Sequence, residues 1–294
     1  MANLKEVRTR IQSVKSTQQI TKAMKMVAAS KLRRAQDAIL QMRPYVQKLY
    51  GILGNAAANL DGEQQSNFSI EREIDKTLIV VVTSDRGLCG AFNTNVIKEA
   101  IALIQEKYAE QESNDKLWIL PLGKKAFDYF SKRNYQVVDD YYEIFGDLSF
   151  DKAKEAAEFA MNGFLNEEFD AIELVYNEFK NVATQILKTE QFLPISKDEN
   201  EEEVVVSTDY IFEPSVEYII NEMIPRTLKV QFYKAILESN ASEHGARMTA
   251  MDQATENAGE LLNDLKLVYN RSRQAAITNE ILEIVGGAEA LGNG

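Results

Sequence analysis

The residues best suited to chemistry lie in the segment Ser84–Phe92, SDRGLCGAF, which follows an apolar, β-branched run. In α/β folds, ligands bind at the carboxyl ends of strands, so this segment is the natural place for a site. Cys89 could be a nucleophile if a histidine lay beside it, but the only histidine, His244, lies on a predicted C-terminal helix. One cysteine and one histidine are also too few for a zinc-type site. Cys89 is therefore predicted to be a packed structural residue, and no metal is expected.

The glycines of this segment do not form a known phosphate-binding pattern. Neither G-x-x-x-x-G-K-[ST] nor G-x-G-x-x-G occurs in the chain. Gly87 and Gly90 are expected to make a tight turn instead. No catalytic residue and no cofactor are predicted, although a carboxylate site stays open because acidic residues are plentiful.

Around this segment, apolar runs alternate with helical patterns, which predicts a mostly parallel sheet with flanking helices, a Rossmann-like α/β domain. A further run, Thr184–Leu193, is predicted to be an antiparallel edge strand. The predicted strands are Thr77–Thr83, Leu117–Leu122, Tyr135–Val138 and Ala171–Tyr176, and the predicted helices are Asn95–Glu110, Lys124–Lys132 and Phe150–Leu165.

The chain begins with a long coiled-coil pattern in which apolar residues recur alternately three and four positions apart. No glycine interrupts residues 1–50, and Pro44 is expected to kink the helix rather than end it, because the pattern continues beyond it. The seam consists of Leu4, Val7, Ile11, Val14, Gln18, Thr21, Lys25, Ala28, Leu32, Ala35, Ile39, Met42, Val46, Leu49, Leu53, Ala56 and Leu60.

The chain ends with a second seam, preceded by Pro225, where a kink or boundary is expected. Two long helices at opposite ends of one chain are expected to pack antiparallel, with the α/β domain inserted between them. The second seam consists of Met251, Ala254, Ala258, Leu261, Leu265, Val268, Ser272, Ala275, Asn279, Leu282 and Gly286.

The predicted domain organisation has four parts. Residues 1–60 form the first coiled-coil helix, 61–76 a linker, 77–212 the α/β body and 213–291 the second coiled-coil helix. Within the body, the acidic segment Lys197–Glu203 is predicted to be a solvated loop.

Both seams contain polar residues, and two explanations are open. Gln18, Thr21 and Lys25 are polar at successive seam positions, as are Ser272 and Asn279 in the second helix. The coil could be solvated or stuttered there. Alternatively, these segments face a different surface, which the off-seam apolar residues Ile20, Met24 and Val27 would favour.

Charge is unevenly distributed along the chain. Residues 1–48 carry a net charge of +9, whereas the whole chain carries −12. This asymmetry predicts an acidic partner for the basic helix. No apolar run of 18 residues is present, so direct membrane insertion is not expected. The opening residues lack a secretory signal, and the single cysteine favours a reducing compartment.

Three sequence blocks resemble the gamma subunits of F-type ATP synthases, in family order and over the full chain. They are Ile11–Arg34, IQSVKSTQQITKAMKMVAASKLRR; Thr83–Asn93, TSDRGLCGAFN; and Arg247–Leu291, which begins RMTAMDQATENAGELL. The resemblance implies a bacterial-type central-stalk rotor without catalytic activity, coupling rotation of the membrane c ring to ATP synthesis or hydrolysis. The implied partners are the alpha and beta subunits, the epsilon subunit and the c ring. The implied location is peripheral, on the cytoplasmic face of the bacterial inner membrane.

The resemblance also implies roles for individual residues. A basic group would face acidic loops of the beta subunits, with Met24 as an apolar contact beside it. Polar residues near the end of the second helix would contact the catalytic ring, and Ile281, Leu282, Ile284 and Val285 would turn in an apolar sleeve. Arg86, Cys89 and Arg247 fall within the matching blocks and are expected at subunit contacts. The basic group is Lys22, Lys25, Lys31, Arg33 and Arg34, and the polar group is Arg273, Gln274, Thr278 and Glu280.

Two other functions are considered. An α/β enzyme that binds a nucleotide or phosphate would require saturable ligand binding by the body. A coiled-coil protein that binds nucleic acid would lose affinity steeply with salt. Against the second, the basic stretch has one aromatic residue, Tyr45, and much of it is an apolar seam.

Overall fold

The computed structural model describes residues 4–58, 66–182, 184–195 and 216–292. The predicted linker 61–76 is only partly described, and the predicted acidic loop Lys197–Glu203 lies outside the described residues. The chain divides into two compact units. The first comprises Met1–Val27 and Met248–Gly294, and the second comprises Ala28–Arg247.

Two long helices contribute to both units. Helix α1 spans Leu4–Ala58 and continues through Pro44. The C-terminal helix, α6, spans Val216–Gly292 and continues through Pro225, so that proline is not a boundary. The two predicted long terminal helices are present, because an apolar period sustained over many turns is a reliable helix signal.

The second unit contains the predicted α/β body. Its five strands are ordered β3-β2-β1-β4-β5, and all neighbours are parallel except β4 and β5. The mostly parallel sheet and its antiparallel edge strand are therefore confirmed. The strands are β1 (Thr77–Val82), β2 (Leu117–Leu122), β3 (Gln136–Val137), β4 (Ala171–Phe179) and β5 (Gln185–Leu193).

Along the chain, the helices of the body connect these strands, and they pack on the two faces of the sheet. Short 3₁₀ turns at Asn67–Ser69, Ser131–Arg133 and Ile144–Asp147 complete the connections. The predicted helix Asn95–Glu110 begins earlier and is split at Tyr108. The body helices are α2 (Phe92–Lys107), α3 (Ala109–Ser113), α4 (Lys124–Phe130) and α5 (Phe150–Leu165).

Strand β1 is buried on both faces, which explains its continuous apolar sequence. Leu78, Val80 and Val82 pack on one side with α5 and with α6 residues such as Phe232. Ile79 and Val81 pack on the other side with α2 and α4. Together these two layers bury the centre of the sheet and leave its carboxyl edge to the β1–α2 loop.

The helices α1 and α6 are antiparallel within each unit. In the second unit, Leu32 and Ile39 cluster with Ala241 and Leu237. Nearer the C-terminal end of α1, Val46 and Leu49 cluster with Val230. As the residue number rises along α1, it falls along α6, which confirms the predicted antiparallel pairing. The buried positions of α1 follow the predicted seam.

Candidate functional site

The β1–α2 loop, residues 83–91, is held by hydrogen bonds to the first turn of α2. The Ser84 backbone N–H donates to Asn93 Oδ1 at 2.9 Å, and the Ser84 hydroxyl donates to the Arg86 carbonyl at 2.7 Å. Two loop residues, Leu88 and Gly90, have left-handed backbone conformations, with φ of 65° and 60°. The predicted tight turn is present at Gly90, but the other left-handed residue is Leu88 rather than the predicted Gly87. The Leu88 side chain is 63% exposed.

Cys89 is buried at the base of this loop. Asn93 Nδ2 donates to its sulfur at 3.2 Å, and Ser84 Oγ lies 3.8 Å away. Burial raises the pKa of the Cys89 thiol, and the lowering effects of the Ser84 hydrogen bond and the Arg247 charge are smaller. A nucleophilic cysteine requires a lowered pKa, so the environment favours a packed thiol. The prediction of a structural cysteine is confirmed by its burial.

A cluster of α6 side chains lies against the loop. Arg247 Nη2 donates to the carbonyl oxygens of Arg86 and Gly87, at 2.8 and 3.2 Å. Arg247 Nη1 donates to the carboxylate of Glu243, and it lies 3.3 Å from Nδ1 of His244. The Arg247 side chain is only 11% exposed. The guanidinium group thus joins α6 to two successive peptide groups of the loop.

Burial perturbs both ionisable neighbours of Arg247. Desolvation raises the pKa of Glu243, although the charge and hydrogen bond of Arg247 oppose it. Desolvation, together with the positive charges of Arg247 and Lys31, lowers the pKa of His244 to about 4. His244 is therefore neutral at physiological pH.

The predicted basic residues of α1 are distributed over two units. In the first unit, Lys22 is exposed and Met24 is half-buried. Lys25 forms an ion pair with Asp252 across the helix pair, with 2.6 Å between Nζ and Oδ1. In the second unit, the exposed predicted cations are Lys31, Arg33 and Arg34.

The polar seam residues of α1 face α6 in the first unit. Thr255 Oγ1 donates to Thr21 Oγ1 at 2.7 Å. A β-carbon at Gly259 would lie only 3.0 Å from Gln18 Nε2, so the Gln18 amide occupies the space beside that glycine. With the Lys25–Asp252 pair, these contacts show that the segment faces α6. The alternative that it faces a different surface is wrong for these three positions.

The C-terminal end of α6 extends beyond its pairing with α1. Continuing the register of the polar contacts places Leu4, the first described residue of α1, opposite Arg273. Every side chain from Ala276 to Ala288 is exposed. The exposed residues of this end include all the predicted contacts: Arg273, Gln274, Thr278, Glu280, Ile281, Leu282 and Val285.

The predicted seam of α6 is partly wrong. Leu261 and Val268 are exposed, whereas Leu262 and Tyr269 are half-buried and Leu265 is buried. Leu265, Ser272 and Ala275 keep their predicted inward positions, so only the positions between them are displaced by one residue. The inward residues still repeat every seven positions, but the steps of three and four alternate in the opposite order from the predicted one.

The structure brings together Arg86, Cys89 and Arg247, while the other predicted contacts lie elsewhere. Sequence reasoning missed Glu243 as the partner of Arg247. The spacing of four residues between opposite charges on a helix was the available signal. It also missed Asp252 and Leu88, because an exposed acid or a left-handed leucine has no distinctive local pattern.

No group of three or more His, Cys, Asp or Glu side chains suited to a metal occurs in the described ranges. A shallow groove of about 420 Å³ lies along α5, lined by residues that include Tyr141, Glu155 and Glu168. It shares no residue with the β1–α2 loop. Among the helices described, none is long and apolar enough to cross a membrane.

Comparison with known proteins gives one consistent family. A family model described as ATP synthase matches residues 3–291. The ATP synthase gamma chain of Cytophaga hutchinsonii is 59% identical over 295 residues, covering 100% of both chains. That of Flavobacterium psychrophilum is 55% identical over 292 residues, covering 99% of both.

Solved structures agree on the fold. A chain from the rotor of the Euglena gracilis mitochondrial ATP synthase has a TM-score of 0.63 at 22% identity, covering 93% of this chain and 98% of that one. A chain from the central stalk and c ring of the Tetrahymena thermophila mitochondrial ATP synthase has a TM-score of 0.54 at 25% identity, covering 80% and 99%. The full-length match to its bacterial relatives decides the family: this chain belongs to the ATP synthase gamma chains.

Proposed function

We propose that this chain is the rotating central-stalk subunit of a proton-translocating ATP synthase, and that it couples rotation of the membrane ring to catalysis in other subunits. The observation that carries the proposal is the exposed end of α6. Ile281, Leu282, Ile284 and Val285 are all about half exposed or more, on a stretch of α6 that packs against no other described residues. A helix that is apolar on several sides requires a surrounding protein surface.

The proposed surroundings of this end are the alpha and beta subunits. An apolar sleeve permits turning, because contacts between apolar groups have no preferred direction. Polar groups at the entrance, Arg273, Gln274, Thr278 and Glu280, would contact the catalytic ring at particular angles. This division between apolar end and polar entrance favours a bearing over a fixed interface.

The basic residues of α1 are proposed to face acidic loops of the beta subunits. Charge attraction falls slowly with distance, so it holds a moving surface without interlocking it. Lys22, Lys31, Arg33 and Arg34 are exposed and suit this role. Met24 adds an apolar contact beside them, and Arg86 is exposed on its loop. Lys25 already forms an ion pair with Asp252, so its attraction to a beta subunit would be weaker.

The remaining partners are proposed from the assemblies to which structural neighbours belong. The Tetrahymena neighbour belongs to a central stalk and c ring, and a Euglena neighbour belongs to an assembly of F1 and c ring. We propose that the body contacts the epsilon subunit and the c ring, and that the chain is held at the cytoplasmic face of a bacterial inner membrane by these contacts. Catalysis is assigned to the partners, and no nucleic acid or cofactor is assigned to this chain.

Co-purification tests the proposal. The chain is expressed with alpha and beta subunits of a close bacterial relative, and the product is measured by light scattering and ATPase assay. A complex of one chain with six partners, active when the chain alone is inactive, supports the rotor. A chain that remains alone, or that hydrolyses ATP without partners, contradicts the rotor proposal. The second outcome would favour a nucleotide-binding enzyme with its site in the body.

Replacing Arg273 and Gln274 by alanine tests the polar entrance. Both side chains are exposed, so we expect the melting temperature of the chain to change little. In assembled complexes, ATP-driven proton pumping per ATP hydrolysed should fall by at least about threefold, corresponding to about 0.7 kcal/mol. The matched control replaces Asn95 and Lys98, an exposed amide and cation on α2. If the Arg273/Gln274 variant pumps as well as the original chain, these two residues do not contribute to coupling at the catalytic ring.

A further inference from the structure

We propose that Glu243, acting through Arg247, is a positioning residue that locks the β1–α2 loop onto helix α6. Arg247 was expected to contact a neighbouring subunit. Its polar atoms are instead engaged within this chain, and Glu243 was not assigned any role. The proposal deepens the rotor function, because it makes the loop and the helix a single moving body.

The contacts of Arg247 use both ends of its guanidinium group. One nitrogen donates to the successive carbonyl oxygens of Arg86 and Gly87, and the other donates to Glu243. A planar guanidinium holds such partners in a fixed arrangement, which a lysine ammonium cannot reproduce. With 11% of the side chain exposed, little of it remains for a partner subunit.

The loop requires such a restraint because of its backbone. Leu88 adopts a left-handed conformation that is unfavourable for a residue with a β-carbon, and Gly90 adopts one two residues later. The two carbonyl groups bound by Arg247 immediately precede Leu88. Fixing these peptides therefore fixes the direction in which the exposed Leu88 side chain points.

Glu243 balances the buried charge of Arg247. Its side chain is 8% exposed, and Asp85 on the loop and Lys31 on α1 lie near enough to influence it. His244 and Cys89 are the other ionisable groups around the cluster. Removing one partner of a buried pair leaves the other uncompensated, which is strongly destabilising locally. Loss of Glu243 is therefore expected to release Arg247 from the loop.

Cys89 provides a direct readout, since it is the only cysteine and is 1% exposed beneath the loop. The rate at which a maleimide labels Cys89 in the intact chain reports how often the loop opens. We expect Arg247→Ala to raise this rate at least about tenfold, equivalent to about 1.4 kcal/mol in the opening equilibrium. Glu243→Gln should give a smaller increase, and Arg247→Lys should fail to restore the slow rate.

The matched control is Lys229→Ala. It removes another ion pair of α6, the 2.6 Å contact with Glu158, without touching the loop. Labelling of Cys89 should stay at the original rate in this variant. An unchanged rate in Arg247→Ala with an intact circular dichroism spectrum, or an equal increase in Lys229→Ala, would overturn the proposal.

Assembled complexes supply the second readout, which rests on the proposed rotor function. Glu243→Gln should lower proton pumping per ATP hydrolysed while ATPase activity persists. If Cys89 labelling rises but pumping is unchanged, the restraint is real and its link to coupling fails. If no complex forms even with the unsubstituted chain, the rotor proposal fails while the labelling result still decides the positioning role.

Discussion

The single histidine illustrates how burial changes the ionisation of one residue. His244 is surrounded by Arg247 and Lys31 and is almost inaccessible, so its pKa falls from 6.5 to about 4. Between about pH 4 and pH 6.5, His244 is protonated in the unfolded chain but stays neutral in the folded chain. The free energy of unfolding contributed by this residue therefore decreases as the pH falls through that range.

Replacing His244 by glutamine should remove this dependence. We expect the original chain to lose about 3 kcal/mol relative to the variant between pH 7 and pH 4, from the shift of the His244 pKa. Urea unfolding at several pH values measures the difference. The raised pKa of Glu243 acts in the opposite direction, but it is present in both chains and largely cancels. Parallel pH curves for the two chains would show that folding does not lower the pKa of His244.

At the scale of elements, the pairing of α1 with α6 depends on which face of the helix a residue occupies. Leu32 is buried in the seam with Ala35, Ile39 and Leu237, whereas Leu40 is exposed on the same helix. The two leucines have the same chemistry and helix propensity. Their different burial therefore isolates the contribution of interhelical packing.

We expect Leu32→Ala to lower the free energy of unfolding by about 3 kcal/mol, because it removes buried methyl groups and leaves a cavity. Leu40→Ala should change it by less than about 0.5 kcal/mol, since the side chain already contacts water. Chemical denaturation of both variants gives the comparison. Equal losses would mean that the exposed face of α1 also packs within this chain.

Sequence patterns predicted elements well and contacts less well. The strand Leu117–Leu122 and the helix Phe150–Leu165 have the predicted bounds, since period and composition act locally. The outward position of Leu261 was missed because apolar residues stand at both 261 and 262, so the sequence alone does not say which of the two faces inward. The contacts of Arg247 with the loop carbonyls join residues about 160 positions apart, and no local pattern encodes such a meeting.

In the described part of the molecule, a run of exposed large apolar side chains lies at the end of α6. Ile277, Ile281, Leu282, Ile284 and Val285 are exposed together along a few turns. A continuous apolar patch on an isolated chain tends to associate with another such patch. The rotor proposal explains this exposure by a sleeve of partner subunits, which the isolated chain lacks.

The isolated chain is therefore expected to self-associate with a Kd on the order of 10 μM, equivalent to about 7 kcal/mol. Replacing Leu282 and Ile284 by serine should shift the sedimentation profile to the monomer. The control replaces two exposed apolar residues of the body, Leu165 and Ile186, by serine. A monomeric original chain at all concentrations would contradict the expectation, and so would an equal effect of the control.

The polar contacts of the first unit also fix the axial register of the two helices. Thr21 meets Thr255, Lys25 meets Asp252, and Gln18 fills the space at Gly259. A purely apolar seam tolerates slippage by one heptad, whereas a single polar position can specify register. Slippage would let one helix turn ahead of the other before any load was carried. These three contacts therefore oppose axial sliding of the two helices within the first unit, so that α1 and α6 should turn there together.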